Sequence, residues 1–252
     1  MPPPSRATRR AARPAPPRDV PDLRAALAAA RLPGHPPEVT AQARDLLLAW
    51  LDPRRPFRDL IRDLATGAAA RAIAQALLDR TPEPPGLDCA PACAFCCLLP
   101  GADGGTITAA EAGALHDALL PLRGQPDGRV WHAQACSALD PSTRLCRAYE
   151  ARPMICRTYV SRDVTACEAI ARGEARPGTG TLPPQLAHVT LHALARAALA
   201  GTARVPTHAL AGIAAAALDG LSRADALAAT RHPPASLDAE RRRLARGLEQ
   251  SR

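Results

Sequence analysis

The eight cysteines of this 252-residue chain are confined to one window, between Cys89 and Cys167. Four occur in the run CAPACAFCC, namely Cys89, Cys93, Cys96 and Cys97, and four follow at wider intervals, namely Cys136, Cys146, Cys156 and Cys167. Cysteines that only fill a core would be spread over the whole chain. Four thiolates close a tetrahedral zinc site or hold an ordinary iron-sulfur cluster, so eight suffice for two centres. The sequence therefore predicts that all eight cysteines bind zinc, iron or an iron-sulfur cluster.

Arginines lie beside the later cysteines and can offset the negative charge of metal-bound thiolates. Between Cys136 and Cys167 they outnumber the acidic residues: Arg144, Arg147, Arg152, Arg157 and Arg162 against Asp140, Glu150 and Asp163. A guanidinium group near a cysteine lowers the pKa of the thiol and can donate a hydrogen bond to its sulfur. We expect Arg152 and Arg157 to support the metal centre in this way, and Tyr149 to give it apolar cover.

The first cysteine run has the features of a helix. Asp88 is a good N-cap, Pro91 is tolerated in a first turn, and Pro100-Gly101 would end the helix after Leu99. With about 100° of rotation per residue, the four sulfurs of the run would share one face of that helix. The sequence thus predicts a helix over 89–99 that presents four thiols together.

Two further local signals surround the later cysteines. The pattern Thr108-Ala-Ala-Glu111 is a capping box, which predicts a second helix start. The turn-forming run Asp140-Pro-Ser-Thr143 lies between Cys136 and Cys146 and predicts a short hairpin. This hairpin would bring two thiols back towards the first run.

The rest of the chain is predicted to be helical. Residues 1–18 are rich in proline and arginine and are expected to be disordered. We divide the remainder into a helical segment (19–80), a cysteine-cluster metal-binding domain (81–172), a glycine- and proline-rich linker (173–183) and a C-terminal helical segment (184–252). Apolar spacing predicts helices over 21–32, 37–51, 56–78, 184–199, 207–218, 222–229 and 236–248. The expected fold is mainly α, with a small cysteine-rich metal-binding domain that contains a hairpin and with flanking helices that pack on it or bind a protein partner.

Composition excludes several classes of protein. The formal net charge is +8, but the chain has no lysine and much of its basicity lies in the N-terminal residues and in Arg241-Arg242-Arg243, which argues against a nucleic-acid partner. The sequence has no apolar stretch long enough to cross a membrane. The N-terminus lacks the apolar core of a secretory signal. We therefore expect a cytoplasmic protein, in which reduced thiols favour metal binding over disulfides.

The cysteine window resembles the YkgJ-like cysteine-cluster family, also described as zinc- or iron-chelating domains. The resemblance covers about residues 87–168 and includes the run CAPACAFCC and the later C-SALDPSTRL-C-RAYEARPMI-C-RTY. The matching residues after the first run are Cys136, Leu139, Cys146, Tyr149, Arg152, Pro153, Cys156, Arg157 and Tyr159, and Cys167 extends the set. Three residues separate Cys89 from Cys93, where the family pattern has two. The resemblance implies that the chain chelates zinc or iron.

Other functions remain open at this stage. The family includes flagellin lysine N-methylase-like relatives, so the resemblance also raises an iron-sulfur-dependent protein-modifying enzyme, such as a methylase. The third possibility is a zinc-stabilised interaction module. The spacing of Cys89, Cys93 and Cys96 also resembles a radical S-adenosylmethionine signature, but Cys97 follows at once and no alternation of strands and helices surrounds it. The sequence does not decide whether the chain is an enzyme.

Two histidines have a spacing that can hold a metal ion. His188 and His192 stand four residues apart on a predicted helix. No glutamate completes an HExxH motif around them, so we expect a surface pair.

Overall fold

A computed structural model describes residues 15–32, 36–98, 103–174, 176 and 179–250 of the chain. Within these residues helices predominate and the strands form only short antiparallel pairs, so the protein is mainly α, as predicted. The helices are α1 (Val20–Ala29), α2 (Pro37–Trp50), α3 (Phe57–Thr66), α4 (Ala68–Leu78), α5 (Ala109–Leu119), α6 (Gly128–Trp131), α7 (Met154–Thr158), α8 (Val164–Ala171), α9 (Pro183–Ala198), α10 (Leu210–Leu218), α11 (Arg223–Ala229) and α12 (Ala235–Gln250). The strands are β1 (Thr106–Thr108), β2 (Tyr159–Ser161), β3 (Thr179–Thr181) and β4 (Thr207–Ala209).

The first four helices pack around α9. Their buried leucines share one hydrophobic cluster with Leu191 and Leu194 of α9. Within the predicted block 56–78, Gly67 adopts a left-handed φ of 84° and divides the chain into α3 and α4. A residue with positive φ cannot continue a right-handed helix, so α4 turns away from α3. The other face of α9 packs against α12, with Leu186, Val189, Leu237 and Leu244 in the contact.

A second hydrophobic cluster lies under the cysteines. It joins the apolar side of α5 to Leu139 and to residues next to Met154 in the cysteine segment. The same cluster continues into Ile213 and Ala217 of α10. Helices α10 and α11 both pack on α5. The core of the cysteine segment is therefore completed by residues from the C-terminal part of the chain.

Two strand pairs connect distant parts of the chain. Strand β1 pairs with β4, with Thr106 opposite Ala209 and Thr108 opposite Thr207. Strand β2 pairs with β3, with Tyr159 opposite Thr181. The predicted capping box at Thr108 and Glu111 is confirmed and begins α5 directly after β1. Its position anchors α5 beside the start of α10, which follows β4.

The predicted helix over 89–99 is wrong. Residues 89–94 are irregular, with a turn at 91–92, and only Phe95–Cys97 make one 3-10 turn. Ala92 and Ala94 adopt left-handed φ values of 66° and 56°, which break a right-handed helix. The carboxylate of Asp88 does not cap this run, because it accepts the N–H of Val164 at the start of α8 instead. Residues 99–101, at the expected end of that helix, lie outside the described residues.

The predicted hairpin is confirmed. Leu139 and Cys146 form an antiparallel bridge, and the Asp140 N–H donates to the Leu145 carbonyl at 2.9 Å. The Asp140 carboxylate accepts the N–H groups of Ser142 and Thr143, which stabilises the turn.

Among the described residues, no helix has the length and apolar character that a membrane span requires.

Candidate metal centre

Five cysteines from three parts of the chain lie near one another. We call this set, Cys96, Cys97, Cys136, Cys146 and Cys156, the five-sulfur group. The sulfurs of Cys96 and Cys97 are 4.0 Å apart. With Zn–S bonds of about 2.3 Å, two ligands of a tetrahedral site stand about 3.8 Å apart, so this separation suits two ligands of one ion. The thiols of Cys136, Cys146 and Cys96 each raise the pKa of Cys156 by charge repulsion, after the larger effect of burial.

Backbone hydrogen bonds hold these segments together. The Cys136 N–H donates to the Cys97 carbonyl at 2.8 Å, and Leu98 forms an antiparallel bridge with Ala135. The first cysteine run is thereby joined directly to the start of the hairpin. The hairpin then brings Cys146 back beside Cys136, and α7 supplies Cys156 from its first turn.

Two sulfurs of the group accept main-chain hydrogen bonds from the residue two positions further on. The Ala138 N–H donates to the sulfur of Cys136, and the Ala148 N–H donates to the sulfur of Cys146. A donor aimed at sulfur favours the thiolate over the thiol, so both bonds lower the thiol pKa. At both cysteines of the hairpin, the backbone two positions further on therefore favours the thiolate.

Burial opposes this effect in the protein without metal. Burial raises the pKa of Cys136 to about 12 and raises that of Cys146 and Cys156 as well. These thiols therefore keep their protons at neutral pH. A metal ion that binds them must displace those protons, which makes its affinity dependent on pH.

The thiols of Cys96 and Cys97 interact with each other. The hydrogen bond from the Cys97 thiol lowers the pKa of Cys96 to about 7, and the same bond, followed by burial, raises the pKa of Cys97. Cys96 is also solvent-exposed. It is thus the member of the group best suited to meet an incoming ion as a thiolate.

The other three cysteines form a separate neighbourhood, the three-sulfur group: Cys89, Cys93 and Cys167. Burial raises the pKa of Cys167, and the charges of Cys89, Cys96 and Cys93 raise it further. The sulfur of Cys89 accepts the Ser161 N–H at 3.3 Å. A thiolate charge at Cys96 raises the pKa of both Cys156 and Cys167.

The residues expected to support the centre have different contacts. The Arg152 charge lowers the pKa values of Cys96 and Cys146. Its guanidinium carbon lies 3.6 Å from the ring centroid of Tyr149, which is 57% exposed. Tyr149 therefore contacts the arginine that faces the sulfurs. Arg157 donates to the carbonyls of Arg152 and Glu150, at 2.9 and 2.5 Å, and so holds the loop that carries Arg152.

The chemistry of the donors fits zinc or iron. Over the part of the chain that the structure describes, no three His, Cys, Asp or Glu side chains converge closely enough to enclose a metal ion as they stand. The nearby donors are soft sulfurs, two of them with N–H groups already aimed at them and with an arginine charge alongside. Thiolates select zinc or iron over magnesium or calcium, which prefer oxygen ligands.

A cluster of buried polar side chains lies beside the cysteines, and the sequence analysis did not predict its burial. His188 and His192 were expected at the surface, but they are 1% and 0% exposed, because the face of α9 that carries them packs inward. The prediction that both histidines lie on one helix is confirmed. The prediction of a surface position is wrong, because it was based on their polarity alone. Glu111, read only as a helix-start signal, is also fully buried, and its Oε2 lies 3.7 Å from His188 Nε2.

Comparison with known proteins supports the sequence-based resemblance. Residues 88–173 match the family model named CxxCxxCC, whose description is "Putative zinc- or iron-chelating domain". The match covers about a third of the chain and contains all eight cysteines. Neither the comparison with curated proteins nor that with solved structures yields a match. The cysteine-rich segment of this chain is therefore similar to the CxxCxxCC domains, which are described as zinc- or iron-chelating.

Proposed function

We propose that the chain binds a zinc or iron centre through the thiolates of the five-sulfur group. The observation that carries the proposal is the Cys96–Cys97 pair, whose sulfurs lie 4.0 Å apart, joined to Cys136 by the Cys136 N–H bond to the Cys97 carbonyl and to Cys146 through the hairpin. Four thiolates suffice for a closed tetrahedral site, so the group has one sulfur more than a single zinc ion needs. The family match supports zinc or iron as the metal.

The centre would act mainly on the fold of the cysteine segment. The first run of cysteines contains little regular structure, and the hairpin and the short helix α7 are small elements. Bound metal would tie these three pieces together, and the binding free energy would become folding free energy. The positive charge of Arg152 would offset part of the thiolate charge. This function needs reduced thiols, which a cytoplasmic location would provide.

Protein purified without oxygen should carry zinc or iron and should protect the thiols that bind it. Elemental analysis measures the metal, a visible absorption band distinguishes iron-sulfur centres from zinc, and alkylation with peptide mass spectrometry identifies the protected cysteines. We expect Cys136, Cys146 and Cys156 to be protected until a chelator removes the metal.

Cys146→Ser should weaken metal binding, because it removes one sulfur of the five-sulfur group from the hairpin. Cys167→Ser is the matched control in the three-sulfur group and should retain the metal. Folded protein that contains no metal, takes up neither zinc nor ferrous iron and alkylates equally at all eight cysteines would disprove the proposal. Equal loss of metal in both variants would assign the centre to a different set of sulfurs.

A further inference from the structure

Glu111 makes contacts that a helix cap alone does not require. Its Oε2 accepts the N–H and the hydroxyl of Thr108, at 2.9 and 3.0 Å, which is the usual capping-box contact. Its Oε1 accepts the Met154 N–H at 2.8 Å, across 43 positions of sequence. One fully buried carboxylate thus joins the start of α5 to the start of α7.

The start of α7 determines where Cys156 lies. This helix has five residues, begins at Met154 and carries Cys156 in its only full turn. The first N–H groups of a helix have no partner within the helix, so the bond from Met154 to Glu111 replaces a missing one. Met154 is fully buried and Thr158 closes the helix by a bond to the Met154 carbonyl at 2.7 Å. Removing the carboxylate would free the N-terminus of the helix, which lies two residues before Cys156.

The charge of Glu111 also acts at this place. Burial opposes ionisation of Glu111, but the charge interaction with His188 and the hydrogen bonds from Met154 and Thr108 outweigh it and lower the pKa of the carboxyl. The ionised carboxylate raises the pKa of Cys156, after burial and the neighbouring thiols. An anion at the N-terminus of a helix is stabilised by the helix N–H groups. Glu111 is therefore held as an acceptor that orients α7.

We infer that Glu111 is a positioning residue for the metal centre, because its carboxylate fixes the N-terminus of α7 and thereby the sulfur of Cys156. This inference rests on the proposed function. It assigns to Glu111 a role beyond that of a capping residue, which would affect α5 alone. The two roles differ in what happens to Cys156.

The test compares Glu111→Ala and Glu111→Gln with the control variant Ser222→Ala. Glutamine keeps an oxygen that can accept the Met154 N–H but loses the charge. Ser222 caps a different helix, α11, through the Asp225 N–H. Three quantities are measured: the melting temperature, the zinc affinity by chelator competition, and the alkylation rate of Cys156 relative to Cys167 in metal-free protein.

We expect Glu111→Ala to weaken zinc binding about 10- to 100-fold, the usual effect of removing a group that orients a ligand. Its Cys156 should alkylate severalfold faster relative to Cys167, and Glu111→Gln should lie between this variant and the parent. Ser222→Ala should lower the melting temperature while zinc affinity and relative Cys156 reactivity stay at the parent level.

Parent-like zinc affinity and Cys156 reactivity in both Glu111 variants would overturn the inference and leave Glu111 a helix cap. If Glu111→Ala does not fold, Glu111→Gln, which preserves the shape of the side chain, decides the question. If the parent itself binds no zinc or iron, the proposed function fails, and the metal-free alkylation rates still show whether Glu111 positions Cys156.

Discussion

Several polar side chains are fully buried beside the cysteine segment. Gln185, His188 and His192 lie on one face of α9, each with at most 1% exposure. His192 Nε2 lies 3.0 Å from the Pro206 carbonyl, and this is the contact of a ring N–H donor. Burial lowers the pKa of His192 to about 3, with a smaller contribution from the charges of His188 and Arg196. The neutral ring is therefore part of the folded state.

Acid should destabilise the protein through His192. Because the pKa is 6.5 unfolded and about 3 folded, the stability contribution is complete above pH 6.5 and is lost as the pH falls towards 3. The loss should be about 2 kcal/mol between pH 6.5 and pH 5. Denaturant titrations of the parent and His192→Gln measure it: the variant should be less stable at neutral pH, and the gap should shrink by this amount at pH 5. His132→Gln, at an exposed histidine, is the control. Parallel pH profiles for the parent and His192→Gln would contradict the prediction.

Secondary-structure elements meet at a few tight contacts, and the junction between α3 and α4 is one of them. Gly67 has φ 84°, and a Cβ there would lie 2.5 Å from the Thr108 Cβ and 3.0 Å from His192 Nδ1. This close approach brings the N-terminal helices against β1 and α9. The glycine is required both by its backbone conformation and by the space available.

Gly67→Ala should destabilise the protein by about 2–4 kcal/mol, the sum of a strained left-handed residue and an overpacked contact. Gly86→Ala is a matched control, because Gly86 also has positive φ (72°) but its Cβ would meet nothing within 4 Å. That variant should lose only about 1–2 kcal/mol. Thermal and denaturant unfolding of both proteins measure the difference. Equal losses would show that packing against Thr108 does not matter.

Much of this element-level structure could be predicted. Helix α2 begins at Pro37 as expected, the capping box begins α5, and the Asp140 turn makes the hairpin. These signals depend on residues close together in sequence, so they are visible without the fold. The conformation of residues 89–97 could not be predicted, because the chain there is held by distant partners, such as the Cys136 N–H that donates to the Cys97 carbonyl.

At the scale of the whole molecule, the cysteine segment shares its core with the C-terminal helices. Ile213 of α10 is fully buried in the cluster that also contains Leu139 and Cys136. The N-terminal helices belong to a different cluster, in which Leu27 is fully buried. The stability of the metal centre should therefore depend on α10, far from the cysteines in sequence.

Ile213→Ala should cost about 2–5 kcal/mol, because it leaves a cavity in a fully buried site. In metal-free protein it should also speed the alkylation of Cys136, since both residues belong to one core. Leu27→Ala should cost a similar amount and affect Cys136 less, because it lies in the other cluster. Denaturant unfolding combined with peptide-resolved alkylation tests this. The idea fails if both variants change Cys136 reactivity equally.

The sequence by itself determined the helical class, the confinement of the thiols to one window and the similarity of that window to the zinc- or iron-chelating CxxCxxCC domains. Each of these follows from residue type or from short-range spacing. Only the tertiary structure decided that Cys96 and Cys97 lie beside the hairpin sulfurs, that His188 and His192 are buried, and that Glu111 reaches the Met154 N–H. These arrangements join residues tens of positions apart. They depend on how helices pack and on which buried polar groups satisfy one another, and no local pattern encodes that choice.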